Sequence, residues 1–122
     1  MRLLLDTHTF VWWDNGRLPK PVVRRIQHAT DVVVSAVTAW EIAIKSSLGK
    51  IVAKGSVADA MEDYGFSALP ILVSHGDAVR ALPPLHRDPF DRMLVAQAIV
   101  EDLVIVSTDE AVRRYKVPVV WD

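Results

Sequence analysis

Three short, unbroken apolar runs, Leu3 to Leu5, Val32 to Val34 and Leu103 to Val106, do most to limit what this chain can fold into. A strand with one face in water alternates apolar and polar residues, whereas a run that is apolar at every position belongs to a strand covered on both faces. Segments with helical spacing separate the runs. Strands alternating with helices define an α/β protein, here a three-layer α/β/α sandwich around a mostly parallel sheet of four to five strands.

The helix after Leu5 holds Phe10, Val11, Trp12 and Trp13 and stops near Asn15-Gly16. Past Pro19 and Pro21, Val22, Val23 and Ile26 sit at helical spacing, with Arg24 and Arg25 opposite. From about Thr38 to Leu48 a helix places Trp40, Ile44 and Leu48 on one face, and Gly49 closes it. Val57, Ala60, Met61 and Tyr64 mark another helix, Leu69 to Val73 a short strand, and Ser74 to Leu82 a helix stopped by Pro83-Pro84. Pro89 to about Val100 is apolar nearly all round, which predicts a helix buried on more than one side. A last helix begins near Asp109, and Val117 to Trp121 reads as a strand that Pro118 confines to a sheet edge. With 122 residues, no repeat and no linker, residues 1–122 read as a single domain.

Composition narrows the chemistry. Cysteine is absent, which removes disulfides and thiolate zinc sites and leaves hard oxygen or imidazole ligands for any metal. Hydrophobic residues make up 51% of the chain, yet no run approaches the ~18 apolar residues that span a bilayer, so a cytoplasmic protein without a membrane partner is the expectation. The net charge of −1 hides an asymmetry: residues 1–61 hold eight Lys/Arg against five Asp/Glu, and residues 62–122 hold six against ten. A basic rim around an acidic pocket would produce it, as would a mixed solvated surface.

Parallel sheets bind ligands beyond the carboxyl ends of their strands, where the strand order reverses. Asp6 follows the first strand, Glu41 lies in the first turn of the helix after the second, Asp91 begins the apolar helix, and Asp109 follows the fourth strand. Each acid alone also reads as a helix cap or an ion pair: Thr38 to Glu41 has the form of a capping box, Asp88 precedes a Pro at the first helical position, and Glu41 stands four residues before Lys45. Caps, however, are as often Ser, Thr or Asn. Four carboxylates gathered at one sheet edge repel and raise one another's pKa unless a cation sits among them, and carboxylate oxygens select Mg²⁺ or Mn²⁺.

In order and spacing, LLLDTH around Asp6, Ser35 to Glu41 running into WEIAIK, HRDPFDRMLVAQA around Asp91 and VSTDEAV around Asp109 resemble the PIN-domain nucleases, specifically the VapC-like toxins of type II toxin-antitoxin pairs. The resemblance covers essentially the whole chain, and PFDR before an apolar helix is its most specific piece. It implies a PIN-like sandwich, a Mg²⁺- or Mn²⁺-dependent endoribonuclease acting on RNA, a homodimer, and a small antitoxin protein that occludes the site. Carried over, Asp6 and Asp91 are the main metal ligands, Asp109 a further ligand through water, and Glu41 an orienter of the attacking water or its base. Ser107 matches the family's hydroxyl near the pocket.

Arg92, directly after Asp91, suits a phosphate or the carboxylates, and equally a structural ion pair. Arg87, Lys45 and Lys50 are candidates for a basic rim or plain surface charges. The four histidines show no metal-ligand spacing, though His8 and His86 fall near the acids in sequence. Trp12, Trp13 and Trp40 read as core or interface anchors rather than base-stacking platforms. Three rival readings share the acids: a phosphotransferase with Asp6 as nucleophile, which lacks the second Asp where His8 stands; a phospho-receiver domain, which lacks the late Lys where Ser107 and Thr108 stand; and an inactive binding domain of the same shape.

Overall fold

A computed structural model describes residues 1–52 and 54–122. Among them one sheet holds five parallel strands, β1 (Arg2–Leu5), β2 (Asp31–Ser35), β3 (Ser67–Leu69), β4 (Val104–Val106) and β5 (Val119–Val120), in the order β3-β2-β1-β4-β5. The chain steps outward from β1 to β3, then returns to the other side of β1 for β4 and β5. The order therefore reverses between β1 and β4.

Burial on both faces explains the unbroken apolar runs. Leu3 and Leu5 join a core with Phe10 of α1 (Thr7–Asp14), Val22 and Ile26 of α2 (Lys20–Gln27), Ile42 of α3 (Ala36–Ser47) and Met61 of α4 (Val57–Tyr64). Leu4 faces the opposite core, with Val37 of α3, Leu94, Val95 and Ala98 of α6 (Pro89–Glu101), and Val112 of α7 (Glu110–Arg113). Leu3, Leu4 and Leu5 have no exposed surface. Each contributes about 2 kcal/mol by burial, an upper figure because unfolded chains already bury some of this area.

α5 (Val73–Arg80) packs against α6 through a buried polar network. Gln97 accepts from Ser35 Oγ at 2.6 Å and donates to Pro70 O at 3.3 Å, and its amide nitrogen lies 3.3 Å from His75 Nδ1. The Leu72 amide donates to that same Nδ1 at 2.9 Å, so the neutral His75 carries its proton on Nε2, facing Glu101 at 2.9 Å. These bonds satisfy polar groups that would otherwise be costly to bury.

Three expectations are corrected. The third strand is Ser67–Leu69 instead of Leu69 to Val73, because Pro70 has no N–H for the ladder. α3 begins at Ala36 with Ser35 as its cap, Oγ accepting from Val37 N, so Thr38 does not start a capping box and Glu41 falls in the second turn. The face carrying Trp40 and Leu48 is turned outward, at 56% and 63% exposure, while Val37, Thr38, Glu41 and Ile42 are buried. An all-round apolar helix offers no unique face to read from spacing alone.

Candidate active site

Two of the four predicted acids, Asp6 and Asp109, stand just beyond the carboxyl ends of β1 and β4, while α3 and α6 carry Glu41 and Asp91. Asp6 is the N-cap of α1, its Oδ1 accepting from Thr9 N at 2.9 Å. Asp109 caps α7, accepting from Ala111 N at 2.9 Å. Asp88 caps α6, accepting from Phe90 N and Asp91 N. Asp91, in the first turn of α6, is thus relieved of capping duty. Ser107 is fully buried; its oxygen accepts from Asp109 N at 3.0 Å, and it stands close enough to Asp6 to pull that carboxyl's pKa down against burial.

The electrostatics show that the acids converge. Burial, then the charges of Asp88, Asp109, Asp6 and Glu41, push Asp91 up to about 8. Burial also raises Asp6, against the hydrogen bonds from Ser107 and Thr9 and the nearby charge of His8. Glu41 is 2% exposed, and both its oxygens are engaged: one accepts from Thr7 Oγ1 at 2.5 Å, the other from Lys45 Nζ. That bond to Glu41 is the main cause of the raised pKa of Lys45. Thr38 Oγ1 lies 3.3 Å from Thr7 Oγ1; since Thr7 gives its proton to Glu41, Thr38 is the donor there.

A second chain of contacts approaches Asp91 from behind. Arg92 donates to Tyr115 Oη at 2.9 Å, Tyr115 Oη lies 2.7 Å from His86 Nδ1, and His86 Nε2 stands 3.5 Å from Asp91 Oδ2. Arg92 also donates to the carbonyls of Pro83, Leu82 and Val79. The two residues expected to meet substrate, Arg92 and Ser107, are therefore occupied within the protein, the first bracing the loop before α6 and the second bracing Asp6. Of the candidates for a basic rim, Lys45 is committed to Glu41, while Arg87 and Lys50 are exposed. Thr7 and Tyr115 had no sequence signal of their own. Their partners Glu41 and His86 lie 34 and 29 positions away.

Among the described residues no three His, Asp or Glu side chains already stand around a common point as a ligand cage. Mg²⁺ does not require one, being held by one or two carboxylates with water completing its shell. The donor set fits such an ion: hard oxygens only, with Asp91 forced to hold a proton near neutrality that a cation would displace.

A parallel α/β sheet with carboxylates collected where its strand order reverses defines a class of acid-pocket α/β domains. Residues 3–118 match the PIN domain family, to which the chain belongs. The chain is similar to Ribonuclease VapC22 of Mycobacterium tuberculosis (strain ATCC 25618 / H37Rv), 27% identical over 121 residues that cover 95% of this chain and 93% of that protein. Among solved structures it superposes on VapBC2 from Rickettsia felis bound to a DNA fragment from their promoter, with a TM-score of 0.75 at 14% identity over 100% of both chains. FitAcB from Neisseria gonorrhoeae gives 0.69 at 18% identity, covering 98% of this chain and 96% of that one. At these identities the structural likeness is one of fold.

Proposed function

We propose that this protein is a metal-dependent endoribonuclease, the toxin of a toxin-antitoxin pair, which hydrolyses phosphodiester bonds in single-stranded or loop RNA to leave a 5′-phosphate and a 3′-hydroxyl. The observation that carries this reading is Asp91: half-buried, free of capping duty, and pushed up to about 8 by burial and by four neighbouring carboxylates. A purely structural acid would not be kept in so unfavourable a place. The ribonuclease name of the relative from M. tuberculosis points the same way.

Asp6 and Asp91 would hold Mg²⁺, with Mn²⁺ as a substitute, and Asp109 would assist through water. An ion held there would supply charge compensation for the carboxylates and Lewis-acid activation of phosphate and water. Glu41, clamped by Thr7 and Lys45, orients that water or takes its proton. Ser107 and Thr9 hold Asp6 in place.

The toxin-antitoxin reading rests on the family and on neighbours crystallised as VapBC and FitAcB complexes. A small antitoxin protein would occlude the acids. A homodimer is supported by exposed Ile71, Leu72 and Val73 beside α5 and exposed Ile99 and Val100 on the packed α6, an apolar surface suited to a second copy. No helix among the described residues is long and apolar enough to cross a membrane.

The test compares wild type with an Asp6→Ala/Asp91→Asn double variant on a broad cellular RNA pool, with Mg²⁺ or Mn²⁺ and with a chelator. Wild type cuts only with metal, and the variant leaves RNA intact. Equal residual activity in the two proteins would overturn the reading.

A further inference from the structure

A cleft of about 620 Å³ opens between the exposed side of α1 and the segment joining α3 to α4. It is lined by His8, Trp12, Asn15 and Arg17 on one side and by Lys50 and Lys54 on the other, with no carboxylate among its described lining residues. Three of the eight basic residues of the positively charged half thus face one cleft. Arg17, Lys50 and Lys54 are all exposed. The Arg17 amide bonds back to Trp12 O at 2.8 Å, which folds the chain after α1 back onto the end of the helix. Lys54 Nζ donates to Asp14 O at 3.0 Å and fastens the second wall to the end of α1.

The cleft begins close to the acids. Exposed His8 lies in the first turn of α1, two residues past Asp6, and its charge is felt by Asp6. From Asp6 to Trp12 the helix advances roughly 9 Å, so a strand seated at the acids needs only a short run to reach the indole and the cations.

We propose that this cleft binds the single-stranded RNA segment next to the scissile phosphate, with Arg17, Lys50 and Lys54 on the phosphodiester backbone and Trp12 against a base. The inference rests on the nuclease reading for its geometry and names the substrate class and path for that site. Lysine and arginine without counter-acids favour a polyanion, and an aromatic surface between them favours unstacked bases. The cleft has the volume of an ordinary small-molecule pocket, which admits one strand, whereas a duplex keeps its bases paired and away from Trp12.

The test uses full-length protein in chelator, where nothing is cut, and a short fluorescein-labelled single-stranded oligoribonucleotide read by anisotropy across salt concentrations. Arg17→Gln/Lys50→Gln/Lys54→Gln weakens binding at least about tenfold and flattens the salt dependence by roughly 2 log units per log unit of salt, about 0.7 for each phosphate no longer neutralised. Trp12→Leu loses about tenfold, and Trp12→Phe, which keeps a ring, recovers most of it. The same sequence annealed to its complement binds more weakly than the single strand.

Unchanged affinity and salt slope in the triple variant would overturn the proposal, as would equal binding of the duplex. So would substitutions that spare RNA binding and weaken only a protein partner. If wild type cuts RNA with Mg²⁺ while the triple variant binds normally, the cleft fails and the nuclease reading stands. If RNA binds through the cleft and no metal supports cutting, the cleft stands and the nuclease reading fails.

Discussion

His86 Nε2 stands 3.5 Å from Asp91 Oδ2, at the end of a relay that begins at a guanidinium. Arg92 can only donate, so Tyr115 Oη accepts from it. The arrangement that gives the Tyr115 proton an acceptor then has Tyr115 donate to His86 Nδ1, which puts the imidazole proton on Nε2, on the side of Asp91 but without a hydrogen-bond partner at 3.5 Å. A small closure of that gap would let the imidazole N–H steady a carboxylate crowded by other carboxylates.

Tyr115→Phe should free His86 to adopt the other tautomer and set a lone pair against Asp91. Because the hydroxyl is part-buried and serves two partners, the expected cost is about 1–3 kcal/mol of stability, with cleavage reduced about tenfold in the folded fraction. His86→Gln, which keeps an N–H donor, should retain more activity than His86→Leu and show a different pH–rate profile. Equal rates and profiles in those two variants would remove the donor role.

Metal-free protein should lose stability as pH rises from about 4 to about 8. Between the ordinary aspartate value of 3.8 and the folded value of about 8, folded Asp91 holds a proton that the unfolded chain has released, so raising the pH favours unfolding. The upward shift of Asp6 acts in the same direction. Mg²⁺ should reverse the trend, since it competes with that proton and binds more tightly at higher pH. Asp91→Asn should melt at or above the wild-type temperature at pH 8 without metal. A melting temperature that is flat from pH 5 to 8 without metal, or a lower one in Asp91→Asn, would count against the repulsive cluster.

Lys45→Met should leave Glu41 buried without its cation. Removing one partner of a buried pair costs about 3–5 kcal/mol, and the 24% exposure of the Lys45 side chain lowers the expected loss to about 1–3 kcal/mol. Glu41→Gln/Lys45→Met should regain most of that stability without regaining cleavage. Additive losses in denaturant melts of the single and double variants would show that the two side chains are not coupled.

Gln97→Leu should behave in the opposite way. The side chain is fully buried and ties Ser35, His75 and Pro70, so its loss strands several polar groups at a total cost of about 3 kcal/mol. None of those partners is one of the four acids, so activity per folded molecule in the presence of metal should stay within about twofold. A large loss of activity at full folding would place this network in the chemistry.

The layered architecture was legible because unbroken apolar strands have one common explanation, burial on both faces, and Leu3 to Leu5 and Val32 to Val34 met it without exception. The acids were legible as a set because a parallel sheet aligns its strand ends. What surrounds them was not. Thr7, Tyr115 and Gln97 act through partners 22 to 62 positions away, and no local spacing encodes such contacts. Arg92 read equally as a partner of phosphate or carboxylate and as a structural residue, and position alone did not encode its contacts with the carbonyls of Val79, Leu82 and Pro83. Helix faces failed where apolar residues exceeded what the core needs, as in α3, whose Trp40 and Leu48 lie outside.

The β1–β4 seam also sets when the acid pocket can form. β1 pairs with β2 about thirty residues on, Leu3 with Val32, but with β4 only after a hundred, Leu3 with Val104. Contacts this distant along the chain form slowly and late. Asp6 and Asp109 follow β1 and β4, the two strands of that seam, so in a growing chain the acids are not gathered until β4 has emerged and closed. On the proposed reading, a cell translating this protein has nearly the whole synthesis time in which a partner can be ready to receive it.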